Sequence, residues 1–248
     1  MKTLAVVILL ALVFLSAAAV LLMLVALISR VRRRKSVGRR LSRKDRSASG
    51  MIVPSGMLAE YHGGIDKVAD ASIRELFEKG LSLKQNRSFL QAVNAFKKCL
   101  NGNLTSEQEA GLLVAIGNCY FAANKYAQAR EHYEKASGLA TQSGNEKGRL
   151  SSLINLGLLS AVGRKWDEGI KSFGEAIALD RKLGYAKGEA IDLNTLALLY
   201  ENKGESEYAL THYKASLLIF EKLDDGEKVE LVENNIRRVI SLVEKTSA

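Results

Sequence analysis

Large apolar residues recur at three- and four-residue spacing through residues 75–99, 112–136, 152–176 and 192–216, each time in two runs separated by a polar break. That spacing puts the apolar side chains on one stripe of a helix, so each stretch predicts a helix, a turn and a second helix. The last three copies align at a period of 40. Gly117, Gly157 and Ala197 are equivalent, as are Tyr120, Ser160 and Tyr200; Ala129, Gly169 and Ala209; Tyr133, Phe173 and Tyr213; and Ala136, Ala176 and Ser216. An earlier copy, 37 residues upstream of the next, has Gly80, Phe89, Ala92 and Phe96 in the matching slots. The small residues let two antiparallel helices approach closely, and the aromatics at 96, 133, 173 and 213 fill the gap to the neighbouring repeat. One pair cannot bury its apolar faces alone, so the pairs must stack. The final segment, 226–248, carries Val229, Val232, Ile236, Val239, Ile240 and Val243 on one stripe, with Glu230, Glu233, Arg237, Arg238 and Lys245 elsewhere. One apolar and one charged face is the pattern of a terminal capping helix.

A second apolar pattern precedes these. Residues 4–29 hold no charge over 26 positions. A helix of that length spans a hydrocarbon core of about 30 Å. Ala17-Ala18-Ala19 offers a signal-peptide cleavage pattern after Ala19, but the apolar run continues past it and meets a basic block that resists translocation. The expectation is therefore an uncleaved transmembrane signal-anchor helix. From Arg30 to Arg46 there are ten Lys or Arg and one acid. This segment, 30–46, accounts for the net charge of +9; without it and Lys2, 25 basic residues face 26 acidic ones. Basic flanks stay on the cytoplasmic side, which puts the N-terminus out and everything after residue 30 in the cytoplasm. Arg30, Arg32, Arg33, Arg34, Lys35, Arg39 and Arg40 are the expected topology signal and contact for anionic lipid headgroups. Phosphorylation at Ser36 or Ser42 would weaken that contact. Residues 47–68 mix Ser, Gly and Pro54 and read as a linker with a short helical piece.

The repeats resemble the tetratricopeptide repeat family. The family motif is met by Leu113, Gly117, Tyr120, Tyr126, Ala129, Tyr133 and Ala136 in one copy. In the next it is met by Leu153, Leu156, Gly157, Trp166, Phe173 and Ala176, and in the last by Leu193, Leu196, Tyr200, Ala209 and Tyr213. The resemblance covers about 73–226. The period of 40 exceeds the usual one of about 34, and the Pro at each repeat end is missing; a helix lengthened by one to two turns, as in 178–193, would account for the difference. The expected fold is all-α: the membrane helix, then an α-solenoid of about four helix pairs (repeats 73–109, 110–149, 150–189 and 190–226, within a domain 69–248), then a capping helix at 227–246.

In this family a concave groove lined by the first helix of each pair binds peptides. Carried over, the resemblance points to Phe77, Leu81, Val114, Asn118, Phe121, Ile154, Asn155, Leu158, Val162, Ile191, Asn194 and Leu198. Asn118 and Asn155 match two asparagines of the clamp with which chaperone-binding members read a C-terminal carboxylate. Its basic partners are replaced by Val114, Ile191 and Thr195, so an apolar segment or amphipathic helix is the expected ligand.

No catalytic chemistry is legible. Phosphate-loop, nucleophile-elbow and zinc-protease strings are absent from the sequence. Cys99 and Cys119 read as buried apolar residues, and His132 and His212 as solvated helix positions. The expectation is a non-enzyme with no cofactor or metal. It would be an adaptor that recruits a protein or peptide partner to a membrane, with a homo-oligomeric scaffold as the alternative. Nucleic acid is not an expected partner, because the basic block lacks interleaved aromatics and abuts the membrane segment. The layout is similar to that of bacterial inner-membrane assembly factors, which makes a bacterial inner (plasma) membrane the expected location.

Overall fold

The computed structural model describes residues 57–247 apart from Ala69, with side chains to Glu244. The expected membrane helix at 4–29 and basic segment at 30–46 lie outside the described residues, as does 47–56 of the linker. Among the described residues no helix is long and apolar enough to cross a membrane.

The described chain is an all-α solenoid. Helices α1 (Ala71–Gln85) and α2 (Phe89–Cys99) form the first pair, α3 (Ser106–Ala122) and α4 (Tyr126–Gln142) the second, α5 (Glu146–Val162) and α6 (Trp166–Leu183) the third, and α7 (Ala186–Lys203) and α8 (Ser206–Lys222) the fourth; α9 (Gly226–Ser247) closes the stack. Each helix packs against the next in sequence, and α3 also touches α5, so the first helices of successive pairs share one face.

The turns explain the period. Arg87, Asn124, Arg164 and Gly204 have positive φ inside the pairs, and Gly144, Gly184 and Asp224 have positive φ between them. Each left-handed residue lets the next amide reach back to the last turn of the preceding helix. Lys125, Lys165 and Glu205 donate to the carbonyls of Tyr120, Ser160 and Tyr200, while Asn145, Tyr185 and Asp225 donate to those of Ala140, Asp180 and Phe220. These are Schellman closures, which satisfy carbonyls a helix end would otherwise leave bare. The break at Gly184 and Tyr185 divides the 178–193 stretch between α6 and α7. The extra residues therefore lengthen both helices of a pair, to 17 or 18 residues each from α3 to α8, and do not form one extended helix.

The repeat slots do the packing they predicted. Phe96, Tyr133, Phe173 and Tyr213 are all fully buried. Each of the first three rings lies over the glycine of its own pair: a Cβ at Gly157 would stand 2.7 Å from Phe173, and one at Gly117 2.5 Å from Tyr133, with Gly80 similarly covered by Phe96. The same rings join the next pair's core, Tyr133 packing in a cluster with Leu158 and Leu159. Trp166 is half-buried against that cluster, and both cysteines are buried and free. On α9, Val232 and Val239 are buried over Tyr213 and Phe220. Ile240 and Val243 of the predicted stripe are instead 41% and 38% exposed. Arg238 fastens α9 to α7 by two hydrogen bonds to Glu201, 2.8 and 2.7 Å long, and Tyr213 also donates to Glu201.

Candidate functional site

The first helices of the pairs do not leave their shared face empty. Residues 57–68, the described part of the segment read as a linker, run along it, without helical structure from Leu58 as far as a short 3₁₀ turn at Ile65–Lys67. We call them the strap. The strap crosses the first helices of three pairs, meeting α5 and α3 at Ala59 and α1 at Glu60 and His62.

At its centre the backbone of Ala59 is gripped by two asparagines. The Ala59 N–H donates to Asn155 Oδ1 at 2.7 Å, and the Ala59 carbonyl accepts from Asn155 Nδ2 at 3.0 Å and Asn118 Nδ2 at 3.2 Å. Asn155 Nδ2 also donates to Asn118 Oδ1 at 3.0 Å, and the Tyr133 hydroxyl donates to the same oxygen at 2.8 Å. Asn118 and Asn155 are both buried, at 1% and 0% exposure, where an unmet amide would be costly. The carboxamide matches a peptide group, one donor and one acceptor side by side, so the pair reads backbone and not side chain.

Side chains fix the flanks. Leu58 is buried in the cluster that holds Tyr133 and Leu158. Glu60 pairs with Lys84 of α1; burial works against its charge, yet the hydrogen bonds from His62 and Lys84 hold its carboxyl below the usual range. The Tyr61 hydroxyl donates to Glu107 at 2.7 Å and accepts from Asn145; burial and the Glu107 carboxylate push its ionisation up to about 12. His62 meets Phe77 edge-on at 5.3 Å between ring centres. Beyond it, Gly63 and Gly64 take positive φ, and Gly63 presses on the backbone of Glu107 so closely that no Cβ fits.

The twelve predicted groove residues fall into three groups. Asn118 and Leu81 border a cavity of about 630 Å³ between the strap and α1, and Asn155 is hydrogen-bonded to Asn118. Ile154, Leu158, Ile191 and Asn194 line a second cavity of about 500 Å³, bounded also by Met57, Ala59, Phe173, Asp192, Thr195, Phe220, Lys228 and Leu231. The rest contribute walls. Phe77, Val114 and Phe121 are closed off from solvent, Val162 packs half-buried on the central cluster, and Leu198 is half-buried on α7. What the sequence reading missed is the strap itself and the floor from Phe220 and Leu231. Its nearest signal was the uncharged, small-residue run leading up to Leu58 and Ala59.

His132 and His212 depart from expectation. Both are shielded: His132 lies 5.2 Å from the Tyr120 ring, and His212 stacks on Tyr200 at 5.3 Å. Burial lowers the pKa of each below the ordinary histidine value.

Beside the second cavity, Asp180 of α6 and Asp192 of α7 are buried at 1% and 3% exposure. The two carboxyl groups act on one another, and neither Oδ2 has a hydrogen-bond partner among the described residues. Burial raises Asp180 to about 6 and Asp192 well above the carboxylate range, where the adjacent Asp180 charge adds to the effect. A carboxyl that holds its proton more tightly when folded stabilises the fold at low pH and loses that contribution as pH rises through its folded value. Stability should therefore fall between about pH 4 and pH 7. Asp192→Asn, whose amide can donate to Asp180, should remove the slope, gaining about 1–2 kcal/mol at pH 8 after allowing for screening and little at pH 4. Urea melts of both chains at the two pH values check this.

Comparison with known proteins agrees with the architecture. A family model described as tetratricopeptide repeat matches residues 110–142, which are α3 and α4. No curated protein matches the chain. Among solved structures, the apo form of RapI is similar with a TM-score of 0.64 and 12% identity over 70% of this chain and 64% of that one. Aspartyl phosphate phosphatase F from Bacillus subtilis gives 0.61 and 14%, over 71% of this chain and 47% of that one. A Rap protein complexed with competence and sporulation factor gives 0.56 and 12%, over 71% and 50%. The chain thus spans less than two thirds of each of these proteins. At these identities the likeness is one of fold: stacked helix pairs of the tetratricopeptide kind.

Proposed function

We propose that this protein is a non-enzymatic, membrane-anchored adaptor whose repeat domain, on the cytoplasmic side, binds an extended segment of a protein partner along the shared face of α1, α3, α5 and α7. The observation that carries the reading is the grip of Asn118 and Asn155 on the Ala59 backbone. It is a two-sided grip on main chain, on the face where peptide binding is expected. Support comes also from the open apolar cavity beside it, walled by Ile154, Ile191 and Leu231, of which Ile191 and Leu231 are 42% and 43% exposed. A similar fold, the Rap protein above, was solved holding competence and sporulation factor. The uncharged stretch 4–29 and the basic block after it supply the anchor and its orientation, with the basic residues against anionic headgroups of a bacterial inner membrane.

A photocrosslinking residue at Ile191, in the full chain in its membrane, should yield a partner adduct that Leu231→Arg removes. The same probe at Lys171, on α6 and exposed, should yield none. Equal adducts from both positions would sink the proposal. Self-association is the alternative, favoured by the exposed Leu231 and Ile240 of α9; adducts joining two copies through Ile191 would decide for it.

A further inference from the structure

The strap divides into two parts held very differently. From Tyr61 onward it is a fixed root. Ile65 and Val68 are buried in the first core, and Gly63 and Gly111 bring the strap backbone hard against α3, where a Cβ on either would strike main chain. From Met57 to Glu60 it is a light arm. Met57 is 41% exposed, Glu60 is exposed and Ala59 half-buried, leaving Leu58 as its one buried side chain. The arm nevertheless satisfies the two most deeply buried amides on the face.

We infer that the Asn118–Asn155 pair is a site for the backbone of an extended peptide bearing an apolar, a small and an acidic residue in succession, and that residues 57–60 occupy it as an internal, releasable ligand. The inference deepens the adaptor reading and rests on it. The chemistry of the occupant is read from the arm: a branched apolar residue in the place of Leu58, a residue small enough at Ala59 for its peptide group to lie flat between the two carboxamides, and a carboxylate against Lys84. Bound in trans, a partner segment of that kind recovers each contact the arm gives up, so the exchange is close to even. What opposes it is the high local concentration of a ligand tethered to its own site. The occupant is taken to be a partner protein because the second cavity, bordered by Met57 and Ala59, extends from the arm to Ile191, Phe220 and Leu231, apolar surface that a longer or bulkier segment would cover.

The probe is a labelled synthetic peptide of residues 54–60, Pro-Ser-Gly-Met-Leu-Ala-Glu with an amidated end, titrated into the full chain in detergent. Two variants weaken the arm: Leu58→Asp, and Glu60→Lys, which turns the contact with Lys84 repulsive at an exposed position. Either variant should bind the peptide at least tenfold more tightly than the parent chain. A peptide with Pro in place of Ala, lacking the N–H that Asn155 accepts, should lose at least tenfold. In the parent, the Ala59 amide should exchange with solvent deuterium at least tenfold faster than that of Ile65, which marks the fixed root. No gain in Glu60→Lys with its melting unchanged, equal binding of the Pro peptide, or Ala59 exchange only as fast as Ile65 would each overturn the inference. A partner adduct at Ile191 together with any of those failures would leave the adaptor reading standing without an internal ligand; adducts only between copies, joined by the arm, would make the occupant a second chain and overturn it also.

Discussion

Tyr133→Ala should destabilise the protein by about 4 kcal/mol, the range for removing a large aromatic from a packed core. The ring is fully buried over Gly117, and its neighbours on both sides are helices that cannot collapse into the space without giving up their turns. Tyr133→Phe separates packing from polarity. It keeps the ring and removes one donor to Asn118 Oδ1, which still accepts from Asn155, so its cost should be about 1 kcal/mol. Urea unfolding of the full chain in mild detergent measures both. A Tyr133→Phe loss equal to the alanine loss would mean that the hydroxyl, not the ring, holds the second and third pairs together.

Asn155→Leu is expected to cost about 3 kcal/mol although it nearly preserves volume, because it strands buried groups. The Ala59 N–H would lose its acceptor, and Asn118 and the Ala59 carbonyl would each lose a donor. The strap should respond before the helices do. Hydrogen exchange at Ala59 should rise while that at the centre of α5 stays slow. If Asn155→Leu melts like the parent, the carboxamide network contributes little and water replaces it without loss.

The repeat architecture was legible because it is written locally and more than once. A glycine at 117 and an aromatic at 133 say little alone; the same two types at 157 and 173 mark a helix pair, and the ring-over-glycine contact follows from helix geometry. Asn118 and Asn155 were likewise findable from a family pattern. The strap was not. Leu58 and Ala59 belong to no period, and what holds them are side chains 59 and 96 residues away, so a Ser- and Gly-rich run read as a connection. The histidines misled for a related reason: position on a helix predicts which way a side chain leaves, not that Tyr120 and Tyr200 stand ready to cover it. The Asp180–Asp192 pair could not be foreseen from residues spaced as ordinary surface acids.

A linear stack of helix pairs has no reason to melt all at once, since each pair senses only its neighbours. The strap changes that arithmetic for part of the array. It touches Lys84 and Phe77 in the first pair, Asn118 and Glu107 in the second, and Asn155 in the third. Those three pairs are thereby sewn into one cooperative block, while α7, α8 and α9 lie outside the seam and are free to fray alone. The stitch is also the most non-local contact described for the chain, and closing such long loops is slow compared with forming neighbouring helices. In refolding, the solenoid should therefore assemble first and be locked afterwards by its own leading edge.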